Sequence, residues 1–129
     1  MSLADARAAL GAQLPEPRNR ECDHVRPPQA SGVLLMAVGG QIARVEVTDS
    51  TIATEAGARV GDTEARINQL YPGRVQTGPH KYTDGHYLVV RRDAGADTLH
   101  RIVFETDGQR VTRYRAGRMP EVEWVEGCS

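Results

Sequence analysis

The sequence predicts an α+β fold: an antiparallel sheet with two short helices on one face, made as a tandem helix-plus-strands repeat. Residues 100–116 place two runs rich in β-branched and aromatic residues around Asp107-Gly108, a dipeptide that supplies the positive φ angles of a tight hairpin turn. Residues 32–47 echo them, with Leu34, Leu35, Met36 and Val38 leading into Gly39-Gly40, then Ile42, Ala43, Arg44 and Val45. Setting Gly40 on Gly108 puts Gln41 on Gln109, and one inserted residue brings Ile42-Ala43-Arg44 onto Val111-Thr112-Arg113. Each hairpin also follows a stretch of helical character, so one unit is read twice. The 129 residues then make a single domain, with one repeat over about 3–54 and the other over about 58–126.

The elements follow in order. Residues 3–10 are strong helix formers with Leu3, Ala6 and Leu10 on one face, Ser2 as a candidate cap and Gly11 as a stop. So short a helix must dock on something to persist. Pro15, Pro17, Pro27 and Pro28 mark an extended connection, within which 22–25 reads as an edge strand. Strands at 33–38 and 42–47 form the first hairpin, and 52–54 adds a brief strand. The second helix opens at Asp62 or Thr63 with Glu64 in its first turn, shows Ala65, Ile67 and Leu70 on one side, and ends at Pro72-Gly73. Residues 74–84 read as irregular. A strand at 86–92 alternates Tyr87, Val89 and Arg91 with His86, Leu88 and Val90. After the main hairpin, 122–125 reads as a last strand beside the arginines, with Trp124 in the core.

Charge and composition narrow the function classes. A net charge of -1 argues against nucleic-acid binding driven by bulk charge. No apolar run approaches the roughly 20 residues that cross a bilayer. Met1-Ser2-Leu3 leads into a polar, Ala-rich stretch rather than a signal peptide, so an export signal is expected to lie outside this chain. The two cysteines, Cys22 and Cys128, are either separate buried thiols or one bridge. The bridge is expected, because a cysteine beside a chain end seldom serves packing and the link would tie down a tail that otherwise frays. Closing such a long loop stabilises by about 4–5 kcal/mol in the chain-entropy account. A disulfide implies an extracytoplasmic location, periplasmic or secreted.

Two groups of residues could carry chemistry. His80, Tyr82, Asp84, His86 and Tyr87 cluster in one loop, and the two histidines with Asp84 are the residue types of a zinc site or a general base. No His-x-x-x-His pair, HExxH or Cys-x-x-Cys accompanies them, so ordinary polar contacts are the plainer reading, and no cofactor or metal is expected. The second group is the arginine row Arg110, Arg113, Arg115 and Arg118, near Arg91, Arg92 and Arg101. A two-residue loop at Asp107-Gly108 would set Glu105 opposite Arg110, Phe104 opposite Val111 and Ile102 opposite Arg113. Arg113 and Arg115 then stand at the margin of the helix-covered face. Arg101, Arg110 and Tyr114 lie on the open face, where they serve either as charge pairs and edge protection or as a binding surface.

The second half resembles a family of uncharacterised bacterial exported domains. The residues that carry the likeness are Arg59-Val60-Gly61-Asp62-Thr63-Glu64-Ala65, Pro79-His80-Lys81-Tyr82, Phe104-Glu105-Thr106-Asp107-Gly108 and Val125-Glu126-Gly127-Cys128. In layout the tandem units also resemble the β-lactamase inhibitor protein and the small-protein-A type outer-membrane lipoproteins. That resemblance implies a non-catalytic extracytoplasmic module that binds another protein or an envelope component across its exposed sheet. The binding residues expected are Arg101, Arg110, Tyr114, His80, Tyr82 and His86. The alternative is a small metal-binding protein or hydrolase using His80, Asp84 and His86.

Overall fold

The computed structural model describes residues 21–27, 32–91, 100–125 and 127–128. Seven strands form one antiparallel sheet: β1 (Asp23–Val25), β2 (Val33–Val38), β3 (Gln41–Val47), β4 (Val75–Pro79), β5 (His86–Arg91), β6 (His100–Thr106) and β7 (Val111–Arg118). Their order across the sheet is β1-β2-β3-β7-β6-β5-β4. One α-helix, α1 (Glu64–Leu70), and a 3-10 turn (Glu121–Glu123) are the helical elements among the described residues. This corrects the expected α+β layout of two helices on one face: the described chain is mostly sheet. The expected first helix, at 3–10, lies outside the described residues.

Local chemistry explains most of the elements. The Thr63 hydroxyl caps α1 by accepting from the Arg66 N–H at 3.1 Å, and the helix stops where Gly73 takes φ of 74°. β4 runs where irregular chain was expected. Its Gly78 and Pro79 depress strand propensity, but a sheet edge tolerates both. Residues 52–54 do not pair as a strand; Thr54 instead donates its N–H to Ala58 O within a loop. The tail after Pro120 turns as a 3-10 segment rather than a strand, and Trp124 is 40% exposed rather than in the core.

The first face of the sheet holds the main core, with Val47, Leu88, Val90, Phe104, Val111 and Tyr114 packed under Ile67, Tyr71 and Ala58. The Phe104 ring sits 6.0 Å from Tyr71 and 5.4 Å from Tyr114. A smaller cluster of Val25, Leu35 and Ala37 continues this face under β1 and β2.

The two hairpins have related registers. In each, the second strand carries one extra residue: Met36 pairs with Arg44 and Ala37 with Ile42, while Glu105 pairs with Arg113 and Thr106 with Val111. Ala43 and Thr112 are therefore bulged at matching places. This sets Gly39, not Gly40, on Gly108, and no inserted residue is needed. The bulge also overturns the expected pairs, since Phe104 faces Tyr114, Ile102 faces Ala116, and Glu105 faces Arg113. The same correspondence extends to the centre of the sheet. Pairs Val45 with Ala116 and Val47 with Tyr114 exchange under it, about a centre where Glu46 meets Arg115. It also carries the pair His24 with Met36 onto Tyr87 with Glu105.

The second face is partly covered by the chain's own end. The 3-10 turn lies over β3, β6 and β7 and buries Val122 completely. Cys22 and Cys128 are bridged, with Cα atoms 5.5 Å apart, which fastens this tail to the start of β1. Gly127 is required there: its φ is 64°, and a Cβ would stand 2.7 Å from the His24 ring.

Candidate functional site

On the second face, buried charges hold the tail in place. Arg44 donates through Nη1 to the carbonyls of Glu121 (3.1 Å) and Trp124 (2.7 Å), and Arg115 Nε donates to Val122 O at 2.6 Å. Glu121 O and Trp124 O also accept the N–H groups of Trp124 and Gly127, so Arg44 adds a second donor to each, while Arg115 serves the Val122 carbonyl. Arg113 and Arg115 thus belong to this face, with Arg115 2% exposed, rather than to the margin of the helix-covered one. Burial first, and then the charge of Arg115, hold the Arg44 guanidinium below its ordinary range, while Glu46 and Glu105 act in the opposite sense.

The network continues outward. Arg115 Nη1 is ion-paired to Glu105 Oε2, and Glu105 Oε1 is 2.8 Å from His80 Nε2. His80 Nδ1 accepts the Tyr82 N–H at 3.0 Å, so this nitrogen carries a lone pair and the proton sits on Nε2, facing the carboxylate. The His80 ring stacks on Tyr87 at 4.4 Å, and Arg115 lies 5.8 Å above the same ring. No buried side-chain polar atom among the described residues lacks a partner, so the cluster braces the tail against the sheet.

Beside this brace runs a groove of about 350 Å³. Tyr87, Val89 and Val103 form its floor, Gln76, Thr77 and Gly78 of β4 one wall, and Glu123 and Val125 of the tail the other. The exposed large hydrophobics of the described chain stand close to it: Trp124 between the two tail residues of the wall, and Tyr82, 62% exposed, two residues from His80. A larger hollow of about 510 Å³ lies on the first face among Tyr71, Arg74, Val90, Ile102 and Tyr114. Its two tyrosine hydroxyls are already engaged, Tyr71 with Thr54 Oγ1 at 2.6 Å and Tyr114 with Ile52 O at 3.1 Å. Its outline also reaches Arg91, His100 and Arg101, and residues 92–99 between β5 and β6 lie outside the described chain.

The expected binding residues are scattered by the fold. Tyr114 is buried on the first face, not the open one, because the bulge at Thr112 reverses the face that simple alternation assigns it. Burial, followed by the proximity of Tyr71, pushes its hydroxyl above the ordinary range. Arg110 lies outside β7 and donates to Gly61 O at 2.8 Å, clasping the hairpin to the start of α1. His86 faces the first side, its Nδ1 2.7 Å from Glu64 Oε2, which also accepts the Thr106 hydroxyl at 2.5 Å. That hydroxyl in turn accepts the N–H groups of His86 and Gly108, so the group braces the hairpin. His80 and His86 therefore point to opposite faces and cannot share a ligand. No three His, Cys, Asp or Glu among the described residues stand where they could hold a metal ion. His80 and Tyr82 remain beside the grooved face, whereas Arg101 lines the hollow of the first face and donates to the His100 carbonyl.

Sequence reasoning missed β4 and, with it, the groove wall. The alternation that groups Val89 with Tyr87 and Arg91, apart from Leu88 and Val90, is the signal available for the floor, and Val103 stands opposite Val89. No family model, curated protein or solved structure matches this chain. Nothing there identifies the chain with the inhibitor or lipoprotein families whose layout was expected.

Proposed function

We propose that this chain is a non-catalytic, extracytoplasmic binding module that receives an extended segment of another protein in the groove on its second face. The observation that supports this most is the composition of the groove: an apolar floor, a wall made by a strand at the end of the sheet, and Tyr82 and Trp124 exposed nearby. Among the described residues β4 has no strand on its outer side. A peptide laid along such an edge gains main-chain hydrogen bonds, and alternate side chains drop onto the floor. Exposed aromatic residues supply the contact area typical of binding hot spots. The extracytoplasmic location is supported by the Cys22–Cys128 bridge, which persists in oxidising compartments. No helix of the described chain is long and apolar enough to cross a membrane.

The test is a photo-crosslinking amino acid placed at Tyr82 or, as a control on the other face, at Ala65, in an envelope extract of the source organism. Adducts formed from position 82 and not from 65 are expected. Adducts confined to 65, or none at either, would contradict this reading.

A further inference from the structure

The ladder between β4 and β5 fixes which way each residue of β4 faces. Arg91 donates its N–H to Arg74 O at 3.3 Å, and His80 donates its own to Gly85 O at 3.0 Å, so residues 74, 76, 78 and 80 turn their main-chain groups toward β5. Val75, Thr77 and Pro79 turn theirs outward, where no described strand pairs with them. A segment added antiparallel to this edge bonds to Val75 and Thr77. It meets Gln76 and Gly78 in non-hydrogen-bonded pairs, where facing side chains stand closest and Cα atoms are about 4.5 Å apart. Gln76 and Gly78 pair with Val89 and Tyr87 of the groove floor, so this side of the edge borders the groove.

Gly78 differs from the other glycines of the described chain. Seven of those take positive φ, and a Cβ on Gly32, Gly85 or Gly117 would collide with Asp49, Thr106 or Ala43. The fold thus demands a glycine at each of those places. At Gly78 the φ is an ordinary one, and an added Cβ would meet no heavy atom within 4 Å. Here the wall has a notch that opens the sheet edge onto Tyr87. A glycine inside a strand gives up packing, and it often marks the place where another chain comes close.

We propose that Gly78 is a notch for an aromatic side chain of the received segment, which passes over the glycine and lies against Tyr87 and Val89. An aromatic residue facing an edge glycine supplies the packing that the glycine lacks, and its ring buries about 150–250 Å². The ring would join an aromatic pair already in place, His80 stacked on Tyr87 at 4.4 Å. Main-chain bonds at Val75 and Thr77 set its register. This inference rests on the groove being a peptide site, and it adds the residue type that the site selects.

The experiment is selection of phage-displayed random peptides on the disulfide-bonded protein, after which the enriched peptide is measured on Gly78→Val and Gly78→Ala. Enriched peptides are expected to share one Phe, Tyr or Trp at a fixed place. Changing that residue to alanine should weaken binding to the wild type by about tenfold or more. On Gly78→Val, whose side chain fills the notch, the same change should cost about twofold or less, with Gly78→Ala between the two. Both variants should melt with the wild type, because the added atoms enter open space. Enriched peptides without a shared aromatic residue, or an alanine change that costs the same on all three proteins, would overturn the notch and leave the groove standing. Failure to enrich any peptide would overturn both.

Discussion

The two halves of the sheet share a backbone plan and are filled with different chemistry. Both hairpins carry their bulge at the same place, and the registers of β1–β2 and β5–β6 correspond. Yet buried Met36 in the first half matches Glu105 in the second, exposed His24 matches half-buried Tyr87, and Val38 at the turn matches Asp107. The first half buries one cation, Arg44, against the tail carbonyls and Glu46, and otherwise relies on apolar packing and on Gly39 and Gly40, both at positive φ. The second uses a chain of ion pairs and hydrogen bonds and adds one more strand at its edge. The difference shows that strand register and side-chain chemistry can vary independently: one frame supports both a half with a single buried cation held by carbonyls and a half whose polar brace borders a groove.

The comparison can be broken most severely at Glu105. Its removal by Glu105→Ala leaves the buried Arg115 without its carboxylate, and a loss of about 3–5 kcal/mol is expected in chemical denaturation. Met36→Ala, at the matching position, should cost about 2–5 kcal/mol through its cavity alone, with no dependence on salt. Next in size is the Cys22→Ser/Cys128→Ser pair, expected to lower stability by about 2–4 kcal/mol. Trp124 fluorescence should then report the tail lifting from the second face, while the first-face core around Phe104 stays packed.

Tyr114 is matched by Val45, which has no hydroxyl to place. Tyr114→Phe should cost about 1 kcal/mol by removing its hydrogen bond to Ile52 O. Because burial raises the Tyr114 pKa above its ordinary 10.0, the unfolded chain ionises first. The stability is thus complete below pH 10 and declines above it, and thermal melting of the Phe variant should show less of this alkaline loss.

The smallest effect is at Asp107, whose side chain accepts the N–H groups of Gln109 (2.9 Å) and Arg110 (2.8 Å). The bonds from Arg110 and then Gln109 hold this carboxylate below its ordinary 3.8. Its stabilisation is therefore present above that value and is lost as the pH falls through the lower folded one. On acidification, amide exchange should quicken at Gln109 and Arg110 before it does at Gly40 and Gln41, and Asp107→Asn should abolish that order.

What could be read from the chain was whatever local sequence determines. The α1 cap at Thr63, the strand alternation of β5, the edge strand at β1 and the Cys22–Cys128 bridge all follow from short-range signals or from the logic of fastening an end. The registers did not, because no residue type announces a bulge at Ala43 or Thr112, and a single bulge moves Tyr114 and Arg115 to the faces opposite those expected. β4 was hidden by Gly78 and Pro79, which local propensity reads as irregular and only the neighbouring β5 can recruit. The tail's alternation of Val122, Trp124 and their acidic neighbours fits a strand as well as a turn. What decided was the demand of Arg44 and Arg115 for carbonyl partners, a requirement set some eighty residues away for Arg44. The candidate site was legible only in part: His80 and Tyr82 lie beside it, whereas its floor and its wall emerge from pairing.

The central claim is that a partner segment adds beside β4 and fills the groove of the second half. Amide hydrogen exchange, measured with and without a peptide selected from a random library on the disulfide-bonded protein, tests it most directly. Slowed exchange is predicted at Val75 and Thr77, whose N–H groups face away from β5, with His24 in β1 and the residues of α1 unchanged. Protection confined to β1 or to α1, with β4 unaffected by a bound peptide, would contradict the account.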